Sequence, residues 1–243
     1  MTALYDKIGV GYSNLRRPDV RITESIHRAL CDAQSVLNVG AGTGSYEPTD
    51  RTVTALEPSA EMIAQRSPEA GKAYQGFAEN MPFSDNQFDA AMAVLTVHHW
   101  TDLEQGLREM RRVTKGRLVI LTFDPEAHYF WLADYIPEII ELDQPIMPKM
   151  PEYGRILGDV KIENIPVPHD CTDGFLGAYW RRPHAYLDPK VRASISTFAK
   201  LTDTPSSFAK LKRDLASGTW DERYGHLMDQ ESLDAGYRLV IAP

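Results

Sequence analysis

The sequence predicts an α/β protein built on a parallel sheet covered by helices. Three observations point there. A short apolar run, Val36-Leu37-Asn38-Val39, ends in a turn with glycine at every second position, Gly40, Gly42 and Gly44. A second apolar run, Val53-Thr54-Ala55-Leu56, ends in an acid, Glu57. Through the first half of the chain such runs alternate with amphipathic stretches, the rhythm of right-handed β-α-β crossovers.

The elements follow in order. Residues 19–31 carry Ile22, Ile26, Ala29 and Leu30 at helical spacing and predict an amphipathic helix. Strands are expected at 35–39 and 53–57. A helix begins near Ser59, with Met62 and Ile63 inward, and stops by Ser67-Pro68. A short strand at 73–77 precedes the loop Asn80-Met81-Pro82. The turn Asp85-Asn86 precedes a strand from Phe88 to Val94. Thr101-Asp102-Leu103-Glu104 has capping-box form, in which Thr and Glu satisfy exposed helix amides reciprocally. The helix after it aligns Leu103, Leu107, Met110 and Val113, and a buried strand follows from Arg117 to Phe123. After Asp124-Pro125 the rhythm breaks. Residues 126–158 are rich in aromatics, Met and Pro, residues 160–167 read as a strand, 171–230 as helical, and 237–242 as a last strand.

Composition narrows the function. The chain has 243 residues, 43% hydrophobic and 25% charged, ordinary for a globular protein. A net charge of −8 argues against nucleic acid as an obligate partner, because phosphate binding needs clustered Lys and Arg. The densest basic run, Arg108 to Lys115, reads as a solvated helix face. Two cysteines, Cys31 and Cys171, give no disulfide framework and no zinc pattern. The N-terminus lacks the pattern of a secretory signal, and the apolar runs fall far short of the roughly 20 residues of a membrane helix. The expectation is a soluble, cytoplasmic protein with no membrane partner.

The glycine turn places backbone without Cβ where a ligand approaches. Its form is G-x-G-x-G. Dinucleotide sites favour G-x-G-x-x-G with pyrophosphate on the helix N-terminus, and triphosphate sites use G-x-x-x-x-G-K-[ST]; neither is present. The niche therefore suits a nucleoside-bearing ligand without pyrophosphate. Glu57, at the carboxyl end of its strand, has the chemistry to accept hydrogen bonds from vicinal ribose hydroxyls. The plainer reading of Glu57 alone is a solvated surface acid.

Together these residues resemble a known family. Gly40-Ala41-Gly42-Thr43-Gly44, Leu56-Glu57-Pro58-Ser59 with Met62, Ala78-Glu79-Asn80-Met81-Pro82-Phe83 followed by Phe88-Asp89, and the stretch Leu107 to Val113 look like class I S-adenosylmethionine-dependent methyltransferases. The nearest subgroup is the small-molecule type that includes the ubiquinone/menaquinone-biosynthesis enzymes and trans-aconitate methyltransferase. The resemblance covers roughly residues 34–124. It implies a Rossmann-like doubly wound seven-stranded sheet, mostly parallel, with the last strand antiparallel, plus a helical cap. It implies S-adenosylmethionine as cofactor. Gly40, Gly42 and Gly44 would approach its methionine and ribose parts, Glu57 would hold the ribose, and Pro58, Ser59 and Met62 would wall the adenine. Ala78 and Glu79 would meet the adenine edge, and Val94, Leu95 and Thr96 would line the sulfonium end. Many relatives carry an Asp where this chain has Phe77, so Phe77 either stacks on the ring or packs, and backbone or Glu79 reads the adenine amino group.

Methyl transfer from a sulfonium needs orientation and desolvation first; a general base serves when the acceptor is a neutral O–H or N–H. His98 and His99 follow the fourth core strand at the ligand-binding edge, and either is a candidate base. The alternatives are a packed or capping histidine. Trp100 suits packing, with substrate contact as the alternative. In similar enzymes the N-terminal segment forms a lid, which makes Tyr12 and Arg16 candidates for the cofactor pocket against a reading as ordinary surface residues. The expected organisation is a single methyltransferase domain over 1–243. Its core lies at about 20–125, 160–168 and 235–243, and its cap is drawn from 1–18, 126–158 and 171–230. The cap aromatics either line a site for a small-molecule acceptor or form the cap's own core. An NAD-type oxidoreductase and a non-catalytic S-adenosylmethionine-binding partner protein stay open as alternatives.

Overall fold

The computed structural model describes residues 16–127, 130–201 and 205–243. A seven-stranded sheet runs β3-β2-β1-β4-β5-β9-β6, from β1 (Ser35–Val39), β2 (Thr52–Glu57), β3 (Ala73–Gln75), β4 (Ala90–Val94), β5 (Leu118–Phe123), β6 (Lys161–Asn164) and β9 (Tyr237–Ala242). Strands β1 to β5 pair in parallel, and β9 runs antiparallel to both β5 and β6, as the family resemblance implies. A small separate ladder joins β7 (Val167–Pro168) to β8 (Ser232–Leu233).

Burial on both faces explains why the central strands read as continuous apolar runs. Every residue of β5 is buried. Its side chains alternate between faces: Val119 and Leu121 join one hydrophobic cluster, Leu118 and Ile120 the other. The helix over the second face, Leu103–Val113 (α3), buries Gly106, Leu107, Met110 and Val113 against the sheet. Gly106 is required there, since a Cβ would sit 2.5 Å from the Trp100 ring. Helix α1 (Val20–Ala29) buries Ile22, Ile26 and Ala29 on the opposite face. Its N-cap is Asp19, whose carboxylate also accepts the Thr172 amide and so ties the helix to the cap.

Two local expectations are corrected. The capping box over Thr101 and Glu104 does not form. Asp102 is the N-cap, accepting from the Gln105 amide at 2.9 Å, because Glu79 claims the Thr101 amide and hydroxyl. The stretch 171–230 is not helical throughout: its first part is turns and short 3-10 segments around Leu176–Tyr179 and Pro183–Leu187. No described helix is long and apolar enough to cross a membrane.

The aromatics after Phe123 pack mostly with one another. Trp131 is 4% exposed and donates its indole N–H to the Trp180 carbonyl at 2.7 Å. Its ring meets Trp220 and Tyr186 edge-on, with centroids 5.3 and 5.6 Å apart. This cluster is continuous with the α1 face of the sheet through Leu121, Leu239 and Ile165. Trp131→Ala is expected to cost about 3–5 kcal/mol, the range for emptying a large aromatic site in a core; urea unfolding of the two proteins measures it.

Candidate active site

The sheet order reverses direction at β1, with β2 and β3 to one side and β4 and β5 to the other. The crevice at the carboxyl ends of these strands is where open α/β sheets hold ligands. A cavity of about 240 Å³ opens there, walled by the turn after β1, the end of β2, residues 76–79 and residues 94–101.

The turn after β1 is a backbone construction. Gly40, Gly42 and Gly44 all have positive φ, at 67°, 53° and 98°. At Gly40 the need is steric as well, since a Cβ would lie 2.1 Å from Thr96 Oγ1. Glu57 is buried, which overturns the solvated-surface reading. Its Oε2 accepts the Gly42 amide at 2.8 Å and its Oε1 the Ser59 amide at 2.9 Å. Beneath the turn, Arg66 pairs with Glu47 at 2.8 Å, both nearly buried, and the Asn38 amide donates to Glu47 Oε1 at 2.9 Å. That bond orients Asn38 so that Oδ1, buried in the cavity wall, has no hydrogen-bond partner among the described residues. An orphaned buried acceptor of this kind suits a donor arriving with a ligand.

Of the residues singled out in the sequence, Gly40, Gly42, Glu57, Pro58, Met62, Phe77, Ala78, Glu79, Leu95, His99 and Arg16 share this cavity. Two do not line it. Ser59 lies beneath as the N-cap of the short helix Ala60–Ala64 (α2), its hydroxyl accepting the Met62 amide. Gly44 makes room for Glu47 and Arg66, whose side chains would be 3.1–3.2 Å from a Cβ there. Tyr12 lies outside the described residues. Phe77 is 54% exposed at the rim, so it does not pack in the core. Glu79 lines the wall, yet its Oε1 already serves Thr101 and the Asp102 amide.

A second cavity, of about 60 Å³, adjoins the first under the cap, with Leu95 and Arg16 in the walls of both. Leu95 holds a left-handed backbone at φ 51°, a conformation costing a branched side chain about 1–2 kcal/mol and kept in place by its amide bond to Leu121. Arg16 donates to the buried carboxylate of Asp173, which also takes the Tyr46 phenol at 2.6 Å. Burial, reinforced by the Asp173 charge, pushes the Tyr46 phenol well up, so Tyr46 stays a donor.

The two histidines part company. The short 3-10 segment Val97–His99 brings their ring centroids to 3.9 Å with the planes tilted by 52°, and His99 faces the larger cavity while His98 faces the smaller. Burial drives both down, His98 well below its ordinary value, with the His99 and Lys200 charges adding, and His99 to about 4. Burial thus disfavours a positive charge on either ring. Sequence reasoning missed Asn38, Tyr46, Asp143 and Thr197. Asn38 alone had a local signal, a polar residue inside an apolar strand.

Fold and site together define a class of protein: an α/β protein that holds a nucleoside-bearing ligand at its switch point beside a capped apolar pocket. The comparisons narrow it. A family model described as a methyltransferase domain matches residues 37–120. The crystal structure of a proposed methyltransferase from an antibiotic biosynthesis pathway of Anabaena variabilis is 33% identical, covers 94% of this chain and 99% of its own, and superposes with a TM-score of 0.88. The demethylmenaquinone methyltransferase of Thermotoga maritima is 29% identical over 55% of this chain and 69% of its own. A ubiquinone/menaquinone biosynthesis C-methyltransferase of Geotalea daltonii is 32% identical over 43% of this chain and 54% of its own. The chain spans between 27% and 69% of the length of the first curated relatives it matches. The chain belongs to the class I S-adenosylmethionine-dependent methyltransferases, and the oxidoreductase alternative falls with that assignment.

The cavity fits the cofactor of that family: a bare-backbone turn, an acid at the ribose position and an orphaned acceptor in the wall. Gly40→Ala is expected to weaken binding of S-adenosylhomocysteine at least tenfold in calorimetric titration, since strain and the Thr96 clash together exceed about 1.4 kcal/mol. The low value for His99 predicts that its ring resonances in NMR spectra do not shift between pH 6 and pH 8.

Proposed function

We propose that this methyltransferase moves the methyl group of S-adenosylmethionine to a small organic acceptor, at O, N or C, seated in the cavity under the cap. The observation that carries the reading is the shared wall: Leu95 and Arg16 line both the cavity at the glycine turn and a second, mainly apolar one. Pockets for drug-sized ligands run to about 300–1,000 Å³, so the 60 Å³ cavity suits a small molecule or the small end of a larger one. The relatives support a low-molecular-weight acceptor in kind, since two are named for quinone biosynthesis.

When bound, S-adenosylmethionine supplies a methyl group already activated on a sulfonium. The residues of the chain do the rest. Gly40 and Gly42 let the backbone approach the ligand, Asn38 Oδ1 takes a donor from its methionine end, and Glu57 holds the ribose hydroxyls. Pro58, Met62 and the exposed Phe77 flank the adenine, with the backbone at Ala78 reading its edge. Leu95 and the cap exclude water and fix the line between the two cavities. His98 and His99, neutral at physiological pH, add no positive charge beside a cationic ligand. Their low basicity makes them positioning groups rather than bases, because proton acceptors work best with a pKa near the working pH. We read residues 1–243 as one methyltransferase domain, supported by the hydrophobic cluster that runs unbroken from the sheet into the cap.

Two measurements test this. Calorimetric titration should show S-adenosylhomocysteine binding, weakened by about 1–3 kcal/mol in Glu57→Ala through loss of hydrogen bonds to a charged group. A tritiated-methyl assay over candidate metabolites should show turnover. Absence of binding sinks the cofactor assignment, and binding without any transfer supports a silent binding protein.

A further inference from the structure

We propose that Asp143 selects the methyl acceptor by accepting a hydrogen bond from it, so that the acceptor carries a hydroxyl or amino group on an apolar frame. The inference rests on the reading of the smaller cavity as the acceptor site.

Asp143 ends the cap helix Glu138–Asp143 (α4) and lines that cavity while only 4% exposed. Its hydrogen-bonding capacity is mostly unused. Thr197, on the cap helix Ser196–Lys200, lies 3.1 and 3.0 Å from the two carboxylate oxygens, but its hydroxyl has one proton to give. A carboxylate accepts about four hydrogen bonds, so one donor leaves most of its lone pairs bare. Buried polar groups without partners are costly and rare, and a carboxylate is the costliest kind. The opening beside it is where a donor would come from, and that donor belongs to the acceptor.

The rest of the wall sets the frame of the ligand. Met147, Phe175, Leu176 and Ile195 make much of the wall apolar, and Asp143 is the carboxylate set among them, with the hydroxyls of Ser196 and Thr197 beside it. The charged and titratable groups around it do not compete for it. Lys200 contributes positive charge but closes no ion pair with Asp143 among the described residues. Tyr237 accepts the Gly177 amide at 3.2 Å, and among the described residues no hydrogen bond joins its phenol to Asp143. Across the cavity His98 is neutral, and Arg16 is committed to Asp173. Burial raises Asp143 to about 6, against the partial relief from Thr197 and Lys200, so the group is ionised at pH 7.5 and protonated below about pH 5.

A purely structural staple between the two cap helices would leave ligand choice unmoved, and matched probes separate the cases. Phenol, aniline and toluene are titrated by ligand-observed NMR into the full chain saturated with S-adenosylhomocysteine. At pH 7.5 phenol and aniline should bind about tenfold more tightly than toluene, the ratio expected of one hydrogen bond to a charged group. In Asp143→Asn the advantage should shrink to about threefold or less, with affinity for S-adenosylhomocysteine unchanged. In the wild-type protein it should shrink likewise at pH 5, a measurement that stands even if the variant folds poorly. Failure of S-adenosylhomocysteine to bind overturns the underlying reading of the site. Normal binding of it, with toluene equal to phenol and aniline or with no probe bound at all, overturns the role of Asp143 alone.

Discussion

The site is organised by the buried carboxylate of Glu57. It sits at the carboxyl end of β2 and accepts one amide from the glycine turn, at Gly42, and one from the start of the next helix, at Ser59. Two segments that would otherwise present bare N–H groups are thereby locked to one strand end. A carboxylate accepting backbone amides makes charge-assisted hydrogen bonds, stronger than neutral ones. A residue that lines the cavity is thus also the residue that shapes the turn around it. The Arg66–Glu47 pair, with Asn38, supports the same turn from below. Removing either support would change the cradle as well as the contacts it offers.

Asp173 plays the corresponding part for the cap. Its buried carboxylate takes Arg16 from the edge of the N-terminal segment and Tyr46 from the turn after β1. Three stretches far apart in sequence meet at one charge, beside the wall that divides the two cavities. The strained backbone of Leu95 stands in that wall. Strain of this kind persists where surrounding structure over-determines it, and the amide bond to β5 does so here. The division between the cavities is therefore a built feature of the fold.

Electrostatics then distributes the chemistry. The histidines, adjacent in sequence, face different cavities and are both neutral by burial. Burial moves the carboxyl of Asp143 the other way, up to about 6. Proton-sensitive behaviour at this site is expected to trace to a cap carboxylate, although the histidines are the residues a sequence reader notices.

Much of this was legible in the chain itself. β1, β2, β5 and β9 fall within a residue of their expected bounds, because a buried strand declares itself through a local apolar run and its bordering turn. The glycine turn, Glu57 and Phe77 stand out in the sequence because each answers a local demand: a turn with positive φ, an acid at a strand end, a substitution within a motif. Other features have no local signature. Asp102 displaced Thr101 as the helix cap because Glu79, distant in sequence, reached Thr101 first. The pairings Asp143–Thr197 and Asp173–Tyr46 join residues 54 and 127 positions apart. The sequence by itself determined the sheet, the cofactor turn and the family, since these rest on periodicity and short-range backbone geometry. The tertiary structure alone decided which histidine faces which cavity and which carboxylate stands in the smaller one, because burial and hydrogen bonding between distant segments exist only once those segments are packed.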